Sequence, residues 1–185
     1  KEVTVTRVSK SATYPCNFMV IAAMNPCPCG YMSSDKRECT CSLDEIRRYQ
    51  KKISGPLLDR IDLQVEVSGI EYKEMVSSKK SEESLEIRKR VVAAREVQKE
   101  RYKNERITTN SQLTTPLIKK YCQLSYEAQK ILEMAFDRMG LSARGYTKII
   151  KVARTIADLE ACDEISEAHI AEAIGYRDID TKYFN

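Results

Sequence analysis

The 185 residues include one histidine, His169. Its sequence neighbours form no nucleophile–base set, so catalysis of the serine- or cysteine-hydrolase kind is excluded and a helix-surface position is expected. No apolar run approaches the roughly 20 residues that span a bilayer, which excludes a transmembrane helix and predicts no membrane partner. The chain has no charged-then-apolar leader, so export is not expected. The phosphate-cradling pattern G-x4-G-K-[ST] is also missing. Its nearest approach, Gly140 to Thr147, has Tyr146 where the lysine is required and follows a helical pattern rather than a strand. Internal repeats and low-complexity tracts are absent, which excludes solenoids and disordered arrays.

Cysteine is plentiful. Seven occur, an odd number, and four form a tight cluster inside a Lys/Glu-rich chain. That pattern argues for a reducing, cytoplasmic setting rather than a secreted disulfide framework. The net charge of +4 is uneven: residues 1–60 hold 10 lysines and arginines against 6 acidic residues, and the remainder is balanced at 21 of each. The excess gathers at Lys36, Arg37, Arg47, Arg48, Lys51, Lys52 and Arg60. It suits a nucleotide or nucleic acid, and equally a solvated helix face.

The stretch 18–24, Phe-Met-Val-Ile-Ala-Ala-Met, is uninterrupted apolar sequence closed by Asn25-Pro26. It reads as a parallel strand buried on both faces. Ahead of it, residues 3–8 alternate as a strand, with a turn at 11–15. Ser42 and Glu45 form a capping box that opens a helix to about Ile53. Residues 61–67 alternate as an edge strand. Beyond Gly69 only helical patterns occur: 71–76, 84–103, a helix opened by Thr115-Pro116, one capped by Ser125 and stopped by Gly140, one opened by Ser142, and one from Ser166 to Gly175. The expected architecture is an α/β portion with few strands in an incomplete parallel sheet (1–68), followed by an all-α helical domain (69–185).

Two chelating pairs, Cys27/Cys29 and Cys39/Cys41, enclose a loop with little apolar content of its own. Four thiolates in that arrangement suit a closed, structural, tetrahedral zinc site that would order the loop. Two disulfides, an iron–sulfur cluster or unligated thiols are the competing readings. Cys16, Cys122 and Cys162 read as small buried hydrophobes. Asn25, just past a strand's carboxyl end, stands where open α/β sheets bind ligands; its carboxamide could orient an attacking water, or it could simply start a turn. Arg60 could reach a neighbouring subunit's phosphate, or form a surface ion pair with Asp59 or Asp62. Arg144, in the first turn of its helix, has a phosphate reading and a solvated one.

Taken together, "FMVIAAMNPCPCGY…CTCS…RYQKKISGPLLDRIDLQVEV", "IRKRVVAAREVQKERY" and "LSARGYTKIIKVARTIADLE…ISEAHIAEAIGYR" resemble the later part of the AAA+ module and the C-terminal helical domain of magnesium-chelatase-like proteins of the ComM type. The resemblance runs from about Arg7 to Arg177 and is weakest over 72–84. It implies a partial AAA+ core followed by a helical lid. It also implies that Asn25 is the sensor 1 residue, Arg60 the arginine finger and Arg144 the sensor 2 arginine, with the four cysteines consistent with zinc. An intact member would be a hexameric, ATP- and magnesium-dependent motor acting on DNA in branch migration. The family's Walker A lysine and Walker B carboxylates are not among these residues, so this chain alone is expected neither to hydrolyse ATP nor to bind it tightly. The rival expectations are a zinc-stabilised nucleic-acid-binding module using residues 36–52, and a magnesium-chelatase ATPase subunit.

Overall fold

The computed structural model describes residues 2–70, 72, 76 and 81–177. Residues 2–15 form an antiparallel hairpin, β1 (Glu2–Arg7) and β2 (Lys10–Pro15), with Val3 opposite Tyr14 and Thr4 opposite Thr13. The two threonine hydroxyls meet at 2.9 Å. The turn falls at Val8–Ser9, so residues 11–15, expected as a turn, lie within the second strand.

The expected incomplete parallel sheet is not found among the described residues, where the hairpin is the sheet observed. Residues 18–24 form no strand, and Met19 and Ile21 are 83% and 86% exposed. Residues 61–67 likewise form no strand of a sheet, with Leu63, Val65 and Val67 exposed. The physical reason is direct. A parallel strand is stabilised by neighbours on either side and by layers on both faces, and none of the described segments pairs with these two as a strand.

The helical expectations fare better. Helix α1 (Leu43–Gln50) opens on the Ser42–Glu45 capping box. It stops three residues before the expected Ile53, and Ser54-Gly55-Pro56 leads into a short helix, α2 (Gly55–Leu58). The long α3 (Ser84–Arg101) follows; the expected helix at 71–76 falls largely outside the described residues. A 3-10 turn at Asn110–Gln112 precedes α4 (Thr115–Tyr121), whose N-cap is Thr114, with Pro116 in the first turn. Ser125 and Ser142 cap α5 (Tyr126–Met139) and α6 (Ala143–Leu159), each accepting the N–H three residues on. Gly140 ends α5 in the left-handed conformation at φ +57°, which glycine adopts without penalty. Helix α7 (Glu167–Gly175) closes the bundle.

The core lies wholly within this bundle. Leu132 of α5, Ile149, Ala153 and Ala157 of α6, and Ile170 of α7 are buried together with Ile165. A charged knot sits beside it. Arg101 grips Asp158 with both guanidinium nitrogens, Asn110 donates to the same carboxylate at 2.8 Å, and Tyr102 donates to Asn110 at 2.7 Å. Cys122 is buried as expected, and burial pushes its thiol up to about 11. Cys162 is exposed and Cys16 half-buried, against expectation. His169 is also corrected. It is 3% exposed, not on a helix surface, because its Nδ1 accepts the Ser166 N–H at 3.0 Å and completes a capping box. Its Nε2 donates to Glu160 at 2.9 Å.

Candidate functional site

Two places gather the residues singled out above. The first is the cysteine loop. Cys27, Cys29 and Cys39 hold their sulfurs 3.3 to 3.7 Å apart, and Cys41 Sγ accepts the Cys29 N–H at 3.3 Å. All four sulfurs lie within 4.8 Å of one another and all four thiols are free, so the disulfide reading is not the arrangement observed. Zinc–sulfur bonds of about 2.3 Å require tetrahedron edges of about 3.8 Å, which is the spacing approached here. The donor set therefore fits a tetrahedral thiolate-bound metal.

The electrostatics point the same way. The backbone N–H of Tyr31 holds the Cys29 thiol down to about 5. Cys41 is pulled down by the Cys29 N–H, yet burial and the neighbouring thiols push it up to about 12. Four thiols this close cannot all ionise unless a cation compensates them. Gly30 makes the loop possible: its N–H donates to Cys27 O at 3.0 Å and its φ is +83°. A Cβ there would stand 3.5 Å from the Asn25 amide nitrogen. Helix α1 starts at Leu43, two residues past Cys41, so ordering of the loop bears directly on the start of that helix.

The second place is a cleft of about 680 Å³ lined by Arg60, Asp62, Leu63, Arg144, Thr147, Lys148 and Lys151 among others. Arg60 comes from the residues after α2, and Arg144 from the first turn of α6. Both are exposed. Arg60 donates to Pro56 O at 2.6 Å. The expected ion pairs of Arg60 with Asp59 or Asp62 are not formed. Asp62 pairs with Lys148 at 2.8 Å, and Asp59 pairs with Arg177 at 3.0 Å.

Those two acids instead fasten residues 59–64 to the bundle. Ser142, the N-cap of α6, donates to Asp59 Oδ2 at 3.0 Å, and Arg177 also donates to Ile61 O at 3.3 Å. Lys148 donates to Arg60 O, and the Gln64 N–H reaches Tyr176 O at 2.9 Å. Four cationic side chains, Arg60, Arg144, Lys148 and Lys151, thus share one concave surface with Thr147, Lys148 being paired with Asp62. Guanidinium and ammonium groups on one concave surface are chemically suited to phosphate oxygens.

Asn25 is not part of the cleft. It is exposed and lies against Gly30 in the cysteine loop. The structure therefore brings Arg60 and Arg144 together and leaves Asn25 with the cysteines. Ser142, Lys148 and Arg177 went unremarked as site residues; their partners lie more than 80 positions away, beyond the reach of local spacing.

Residues 81–177 match the family described as magnesium chelatase, subunit ChlI C-terminal, and residues 1–75 match magnesium chelatase, subunit ChlI. The uncharacterized protein YifB of Salmonella typhimurium is 39% identical over 183 residues, covering 97% of this chain and 34% of its own length. Competence protein ComM of Haemophilus influenzae is 36% identical over 177 residues, covering 95% and 34% respectively. Uncharacterized protein Rv2897c of Mycobacterium tuberculosis is 34% identical over 176 residues, again covering 95% and 34%. The chain spans about a third of the length of these relatives. Among the described residues no helix is long and apolar enough to cross a membrane.

Proposed function

The chain belongs to the magnesium-chelatase-like family of the ComM and YifB type, and on that basis we propose that it is the nucleotide-reading part of an AAA+ motor that assembles as a ring, uses ATP and magnesium, and acts on DNA. One observation carries the reading: Arg60 and Arg144, far apart in sequence, line a single cleft. With no phosphate loop in these residues, the nucleotide is held by another part of the motor. Arg60 then acts as the arginine finger and Arg144 as the sensor 2 arginine. Both guanidiniums would neutralise charge that develops on the γ-phosphate, which is where catalysis of phosphoryl transfer largely resides.

The remaining assignments follow from the same premise. Residues 1–68 are the later part of the AAA+ core and 69–185 the helical lid. The family matches change over between residues 75 and 81, close to that division. Cys27, Cys29, Cys39 and Cys41 hold a structural zinc whose charge lets the four sulfurs ionise together. It takes no part in chemistry, because protein would fill all four positions. Asn25 serves as sensor 1 once the strand before it is enclosed in a complete sheet.

The test is kinetic. In the intact polypeptide, Arg60→Ala lowers ATP turnover by ~10³-fold or more while nucleotide binding persists. Arg144→Ala lowers turnover to a lesser degree. Unchanged turnover in Arg60→Ala would remove the basis of this reading.

A nucleic-acid contact has its own supporting observation. Arg47, Arg48 and Lys51 ring a shallow hollow on α1. Salt-dependent DNA binding by this chain, lost on charge reversal there, would assign the contact to α1.

A further inference from the structure

Within the two motifs "GPLLDRID" and "LSARGY" only the arginines have been given roles so far. The geometry points to a third functional residue: we infer that Asp59 is a positioning residue that locks the Arg60 segment to the start of the Arg144 helix, so that the two guanidiniums meet one phosphate as a unit. The inference rests on the phosphate reading of the cleft.

Asp59 stands immediately before Arg60. Its Oδ2 accepts from Ser142 Oγ and its Oδ1 from Arg177 Nη2, each at 3.0 Å. Ser142 is two residues before Arg144 and is already committed as N-cap, accepting the Gly145 N–H at 3.0 Å. The carboxylate therefore completes a relay from one arginine's segment, through a cap hydroxyl, into the helix turn that displays the other. The aspartate also lies close to the Gly145 backbone: a Cβ there would stand 3.8 Å from Asp59 Oδ1, an ordinary van der Waals contact. The carboxylate also faces the amino-terminal end of a 17-residue helix, where negative charge is favoured.

Burial separates this arrangement from an ordinary surface pair. The Arg177 side chain is 5% exposed and that of Asp59 28%, and Arg177 spends its second nitrogen on Ile61 O, past Arg60 on the other side. Arg60 is thus bracketed by two residues tied to the same guanidinium. The Asp59 carboxylate pairs with Ser142 and Arg177 and with neither arginine of the cleft. The aspartate acts only through where it puts them, and a displacement near 1 Å in such a site lowers turnover by roughly 10²-fold.

Ser142 supplies the discriminating variants, because its two roles can be separated. Ser142→Asp keeps a good N-cap but sets a second carboxylate against Asp59. Ser142→Thr keeps both cap and donor. In the intact polypeptide, Asp59→Asn and Ser142→Asp are expected to lower kcat by about 10- to 100-fold with little change in the KM for ATP. Ser142→Thr retains most of the turnover. The decisive comparison is the double variant Asp59→Asn/Arg60→Ala, whose loss relative to wild type should be clearly smaller than the product of the two single losses, since only Arg144 is left for the aspartate to position. Fully additive losses, or a loss in Asp59→Asn matched by a lowered unfolding midpoint and restored by cooling, would assign Asp59 to stability only and overturn the inference. Failure of the phosphate reading shows itself separately, as wild-type turnover in Arg60→Ala.

Discussion

Arg154 and Asp158, one turn apart on α6, pair at 3.0 Å with neither side chain exposed to solvent. Arg154 also donates to the carbonyls of Cys162 and Asp163, and Asp158 is shared with Arg101 and Asn110. The far end of the helix that presents Arg144 is thereby fixed to α3, to the 3-10 turn and to the connection into α7. Removing one member leaves the others charged and buried. Asp158→Ala is expected to lower stability by about 3–5 kcal/mol, whereas Lys99→Ala on the exposed face of α3 changes it by less than about 1 kcal/mol. Denaturant titration of the chain checks both.

The metal reading has its own consequence. The purified chain should carry one zinc per molecule, and Cys29→Ser should lose it. Chelation should disorder the loop and the start of α1 while leaving the helical signal of residues 102–173 in place, because that core shares no side chain with the cysteines. Metal analysis together with circular dichroism tests this; a protein that holds no zinc when purified without chelator contradicts it.

Ala161 occupies the left-handed region at φ +55°, just past α6, where the Cys162 N–H reaches back to Ala157 O at 2.8 Å. That closing turn favours glycine, since an L side chain there costs roughly 1–2 kcal/mol. Ala161→Gly should therefore raise the unfolding midpoint, by about 1 kcal/mol or slightly less after the added freedom of the unfolded chain is counted.

Acid should loosen the α3–α4 connection. The Lys120 ammonium, with the Tyr121 hydroxyl, holds the Glu105 carboxyl below its ordinary value of 4.5. The Ser42 backbone N–H and hydroxyl do the same for Glu45 at the start of α1. A carboxyl lowered in the folded state stabilises it fully above its unfolded pKa and loses that contribution as pH falls through the lowered value. Stability should thus decline on going below about pH 4.5, and Glu105→Gln should flatten the decline. Urea midpoints measured across that range provide the check.

What could be read ahead of the structure follows a physical divide. Helix starts were legible, because Ser42, Ser125, Ser142 and Ser166 cap through neighbours three residues away. Strands 18–24 and 61–67 were not realised, because their apolar and alternating patterns describe a sheet whose other members are not among the described segments. The four-cysteine cluster was legible from two chelating pairs. His169 was misplaced because a histidine at the third helical position can serve as a cap acceptor, which its surroundings in sequence do not announce. The meeting of Arg60 with Arg144 had no local signature, and neither did the bond from Asp59 to Ser142 and Arg177, since each joins positions more than 80 residues apart.

The most direct test mixes two inactive copies of the intact polypeptide. One carries Arg60→Ala, and the other is disabled in the nucleotide-holding part of the proposed motor. If Arg60 and Arg144 serve a nucleotide held by a neighbouring copy, each variant alone is silent and the mixture recovers a measurable fraction of ATP turnover. A mixture as inactive as its components, once shown to assemble together, would contradict the account.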